Sequence, residues 1–107
     1  MTSFDDRERA FENQFAHDAE IQFRVVARRN RLTGQWAAQQ MGLTPEEADA
    51  YATSVVQADF EEVGDEDVVR KLRGDLAAAG LDIDDAAIRA ALAEKTVEAR
   101  RHFIEGV

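Results

Sequence analysis

Cysteine is absent from this 107-residue chain, proline occurs once and histidine twice. Without cysteine there is no disulfide framework, no thiolate metal site and no cysteine nucleophile. The two histidines, His17 and His102, lie far apart, and no HExxH pair, glycine-rich phosphate loop or GxSxG elbow accompanies them. The chain therefore reads as a non-enzyme with no metal site and no obligatory cofactor. The acids of Asp65 to Val69 superficially suggest a calcium loop, but the later glycine and terminal glutamate are missing. They suit a helix start better. No run approaches the roughly 18 consecutive apolar residues of a membrane span, and acids stand at positions 5 and 6 where a targeting segment would be basic. A soluble cytoplasmic protein with no direct membrane insertion is expected. Strand signals are also missing, since no segment alternates apolar and polar residues for long and alanine is abundant.

What remains is an all-α chain of single-domain length with a net charge of -9. Residues 1–31 hold six arginines and six acids, so the whole excess of negative charge falls in residues 32–107. The acidic part argues against nonspecific binding to nucleic acid or anionic lipid, both of which need basic surface. Arg24, Arg28, Arg29 and Arg31 either form a local anion-binding patch or pair with acids of their own domain. The second reading is the simpler one.

Helix one is expected from Ser3, its hydroxyl accepting the Asp6 amide, to Met41, with Gly42 ending it. Thr44-Pro45-Glu46-Glu47 then reads as a capping box: threonine cap, proline at the first helical position, and glutamate reaching back. Ala48, Tyr51, Ala52, Val55, Val56, Phe60 and Val63 continue helix two as a core stripe up to Gly64. Asp65 is the expected cap of helix three, whose buried edge is Val68, Val69, Leu72 and Leu76. Asp84 caps helix four, with Ile83 and Ile88 as its staple, and Ile88, Leu92, Ala99 and Phe103 continue its face. The expected fold is a small four-helix bundle.

One segment fits that bundle poorly. In a helix, Phe4, Phe11 and Phe15 fall within an arc of about 40°, a narrow aromatic stripe on the strongly charged stretch from Ser3 to Glu20. Ile21, Val25, Leu32 and Trp36 centre roughly 80° around from it, so a kink or a disordered joint is expected near Asp18 to Gln22. The division that follows is residues 1–20 as a partner-binding segment and residues 21–107 as a globular domain. The stripe resembles a helix-in-groove ligand, and each buried phenylalanine is worth roughly 1.5–3 kcal/mol. His17, beside Asp18 and Glu20, is a candidate pH-sensitive group. Trp36 with Arg28 or Arg29 is a candidate site for stacking a purine and holding phosphates. That second candidate makes the alternative function a small ATP/ADP-binding sensor.

The stretches FDDRERAFENQFAHDAE, FRVVARRNRLTGQWAA and ADFEEVGDEDVVRKLRGDL resemble the alphaproteobacterial zeta subunit of the F-type ATP synthase, an inhibitor of ATP hydrolysis. The resemblance covers nearly the whole chain and is weakest over the last helix. It implies a bacterial, non-catalytic regulatory protein, peripheral to the inner membrane through the synthase. Its partner would be the catalytic head, with an N-terminal helix inserted at an interface of the alpha and beta subunits beside gamma. Carried onto this sequence, the inhibitory segment is Thr2 to Ala19, with Asp5, Asp6, Arg7, Glu8 and Arg9 as polar contacts. Phe4, Phe11 and Phe15 are the anchors suggested by the stripe. The helix would block hydrolytic rotation and be expelled during synthesis.

Overall fold

The computed structural model describes residues 3–58 and 64–105, with side chains described over 17–58 and 64–103. Among these residues there are four helices and no strand: α1 Ser3–Gln40, α2 Pro45–Ala58, α3 Glu66–Ala78 and α4 Asp85–Glu105. The expected all-α bundle is the observed one. The expected Ser3 cap concerns a side chain outside the described set, as do Phe60 and Val63 at the end of the second stripe.

Local chemistry sets the joints. Gly42 takes φ of 73°, and the Leu43 amide donates back to the Ala38 carbonyl at 3.0 Å, a turn that closes α1. The capping box that opens α2 is complete. The Thr44 amide donates to Glu47 Oε1 at 3.0 Å, and the Glu47 amide donates to Thr44 Oγ1 at 3.2 Å. At the start of α4 the Ala87 amide donates to Asp84 Oδ1 at 2.9 Å, as expected for a cap. The start of α3 differs: Asp65 makes no side-chain cap bond, because its carboxylate is taken by Arg29 of α1 at 2.9 Å. A long-range ion pair has displaced a local cap.

α1 packs mainly on α2 and α4, and α3 closes the bundle against α2 and α4. Val55, Val68, Val69, Leu72, Leu76, Ile88 and Leu92 form the core with Ala37 of α1. Every residue expected on the buried edge of α3 is there. In α1 the expectation is met only in part. The helix is a single element through Asp18 to Gln22, so no disordered joint separates its halves there. Of its expected core stripe only Val25 is fully buried, whereas Ile21, Leu32 and Trp36 are half-buried. The face α1 buries is instead Val25, Arg29, Asn30, Thr33, Gly34, Ala37 and Ala38. Hydropathy misplaces this face because its middle is polar and its lower end is small. The correction reduces the expected offset but does not remove it: Arg29 and Thr33 each stand about five full turns beyond Phe11 and Phe15, while the buried face as a whole centres roughly 50° around from that register.

Candidate partner-binding surface

The packed half of α1 is built for close approach. A Cβ on Gly34 would lie 2.8 Å from the Ala52 Cα and 3.1 Å from Val55 Cγ2, so only glycine lets α1 and α2 cross at this distance. Thr33 donates to the Arg29 carbonyl at 2.7 Å, satisfying its hydroxyl within the helix. Arg29 donates to Asn30 Oδ1 through Nε at 3.1 Å and Nη2 at 2.8 Å while also pairing with Asp65. This polar group ties the middle of α1 to the start of α3. On the far side of the bundle, the Tyr51 hydroxyl donates to Asp75 Oδ2 at 2.8 Å and Lys71 Nζ donates to the same oxygen at 3.0 Å. Burial, then that hydrogen bond and the Asp75 charge, push the Tyr51 phenol well above its usual range.

Toward its N-terminus α1 leaves this packing. His17, Asp18, Ala19 and Glu20 are all exposed, Ile21 is half-buried, and Gln22, Phe23 and Arg24 are exposed again. Glu20 accepts from Arg24 at 2.8 Å across one turn, a pair exposed on both sides and worth little to stability. The side chains of Phe4, Asp5, Asp6, Arg7, Glu8, Arg9, Phe11 and Phe15 lie outside the described set, though their backbone belongs to α1.

The residues proposed for nucleotide contact are not brought together. Arg29 is 7% exposed and committed to Asn30 and Asp65, and Trp36 packs against the core. Arg28 faces elsewhere, into a groove of about 400 Å³ between α1, α2 and α4. Phe23, Ala27, Val56 and Phe103 supply its apolar lining, and Arg24, Arg28 and Arg31 its charge. Arg31 pairs with Asp49 and reaches Thr53 Oγ1 at 3.4 Å, which places both acceptors on α2. Sequence reasoning passed over Phe23. Its signal is an aromatic roughly 100° out of register with Arg29 and Thr33, between two polar neighbours. Among the described residues no cluster of three or more potential metal ligands occurs, and no helix is long and apolar enough to cross a membrane.

A helical bundle whose first helix runs on, exposed, past the last residues it packs defines a helix-presenting interaction protein. The chain belongs to the ATPase inhibitor subunit zeta family, whose profile matches residues 1–102. A solved solution NMR structure is similar to it at 41% identity and a TM-score of 0.72, covering 81% of this chain and 99% of its own. No curated protein matches.

Proposed function

We propose that this chain inhibits ATP hydrolysis by the F-type ATP synthase, with residues 1–20 as the effector and residues 21–107 as the domain that carries it. In this reading the N-terminal part of α1 enters the catalytic head between alpha and beta subunits beside gamma and blocks hydrolytic rotation. The protein does so without a cofactor and works at the cytoplasmic face of the inner membrane through its partner. The observation that carries the reading is the exposed run of α1 over 17–20, directly after the phenylalanine stripe, in a chain of this inhibitor family.

The register of α1 supports it physically. Arg29 and Thr33, two of the residues the bundle buries farther along the helix, stand in the register on which the phenylalanines recur, so a partner groove would overlap one edge of the face the bundle packs. A variant beginning at Ile21 is expected to stay folded and to lose inhibition of the cognate catalytic head; undiminished inhibition would overturn the assignment. Phe11→Ala with Phe15→Ala in the full chain should weaken inhibition at least tenfold, as loss of two buried aromatic anchors does. The nucleotide reading has no assembled site behind it. Titrating ATP while following Trp36 fluorescence tests it, and a saturable signal would revive it.

A further inference from the structure

We infer that the groove of Phe23, Arg28 and Phe103 is a second docking site, for an acidic amphipathic helix of the ATPase head itself. The inference rests on the inhibitor reading for its partner and on the groove's own chemistry for its location. Three features of the groove converge. Phe23 is 57% exposed, one of two large apolar side chains so exposed among the described residues, and it opens onto a cavity large enough for an apolar anchor. Among the described residues, arginine is the only charged type lining that cavity, in a protein whose net charge is -9. Arg24 and Arg31 are compensated by Glu20 and Asp49, whereas the buried Nε of Arg28 has no hydrogen-bond partner.

Charge and shape together select the occupant. An apolar cavity rimmed by guanidinium groups is complementary to a helix that carries a large apolar residue flanked by carboxylates. Position selects the same partner. Phe23 stands three residues beyond the proposed inhibitory segment on the same unbroken helix, so a partner gripping residues 1–20 lies beside this groove. Linking the two contacts on one continuous helix makes the second nearly intramolecular, which raises avidity without new inhibitory chemistry.

The test uses the full chain and the purified cognate catalytic head. Phe23→Ser and Arg28→Glu are measured beside wild type for binding and for inhibition of hydrolysis, with thermal melts confirming that each variant is folded. Both variants are expected to bind roughly five- to tenfold more weakly, with full inhibition recovered at saturating protein. Arg28→Glu should also flatten the salt dependence of association. Unchanged binding by both variants overturns the groove while leaving the inhibitor reading intact. Groove-dependent binding by a wild type that does not inhibit hydrolysis supports the groove and overturns the inhibitor reading. A wild type that neither binds nor inhibits overturns both. A wild type that self-associates in sedimentation, lost in Phe23→Ser while head binding is unchanged, assigns the groove to a second copy and overturns the proposal.

Discussion

Residues 25–38 and residues 17–24 belong to one helix, yet the first stretch buries seven side chains or glycine positions and the second buries none. The packed stretch is unusual in what it buries: an arginine, an asparagine, a threonine, a glycine and two alanines against a single valine. It holds α2 close and α3 by an ion pair, and gains little from large apolar surface. The exposed stretch has the reverse composition problem, an aromatic at Phe23 that stays 57% exposed. A short isolated helix is marginal in water because nucleation is costly, whereas extending an existing helix adds one hydrogen bond per residue fixed. The packed half of α1 therefore supplies the nucleus from which the exposed half is extended. If residues 1–20 are the effector, as proposed, such an arrangement lowers the ordering cost of presenting them.

The contrast breaks most directly at Arg29. Replacing it with alanine leaves Asp65 without its partner and Asn30 Oδ1 without two donors inside the bundle. Asp65 is about half-exposed and recovers some solvation, so the expected loss is about 2–3 kcal/mol in urea denaturation. A loss below about 0.5 kcal/mol would mean that the polar middle of α1 is not what holds it.

Gly34→Ala follows, with Gly74→Ala as its internal control. Alanine is the better helix former by about 1 kcal/mol at either position. At Gly74 nothing lies within 4 Å of the added Cβ, so the substitution should stabilise by about 0.5–1 kcal/mol. At Gly34 the clash is with backbone, which cannot rotate away, and overpacking of about 1–3 kcal/mol outweighs the propensity gain. Opposite signs are expected, read as melting temperatures moving apart. A stabilised Gly34→Ala would show that α1 and α2 are not in close contact there.

These same residues mark what could and could not be read from the chain. The capping box at Thr44, the Asp84 cap and the buried edge of α3 were legible, because each depends on neighbours within one or two turns. The Asp65 cap was misread because its real partner, Arg29, is 36 residues away and no local rule weighs a distant ion pair. Hydropathy placed the α1 face on Ile21, Val25, Leu32 and Trp36, of which only Val25 is fully buried, since it cannot see that Asn30 Oδ1 and the Thr33 hydroxyl find partners in the interior. The phenylalanine stripe was legible as periodicity. The groove at Phe23 was not, because it needs Thr53, Val56 and Phe103 from two other helices.

Smaller effects are expected in the exposed half. Ala19→Gly removes about 1 kcal/mol of helix propensity, but only from a stretch whose opening is not coupled to unfolding of the bundle. The melting temperature should stay within about 2 °C of wild type, while amides of residues 17–22 exchange faster and those of 29–38 are unchanged. A melting shift as large as that of Gly34→Ala would show that the two halves unfold together.

The mildest probe acts on the packed half through α2. The Thr44 amide, and secondarily its hydroxyl, hold the Glu47 carboxyl below its usual range. A carboxylate whose pKa is depressed in the folded state contributes stability that is present above its unfolded pKa and lost as pH falls through the folded value. Glu47→Gln keeps a side chain able to complete the capping box but cannot titrate. Between about pH 6 and about pH 3 the wild type should therefore lose slightly more stability than Glu47→Gln, and parallel curves would remove this role from Glu47. Because α2 is the helix against which Gly34 is packed, acid should raise exchange at the Gly34 amide in wild type more than in Glu47→Gln. Amides of residues 17–22, which have no such contact to lose, should respond identically in the two proteins.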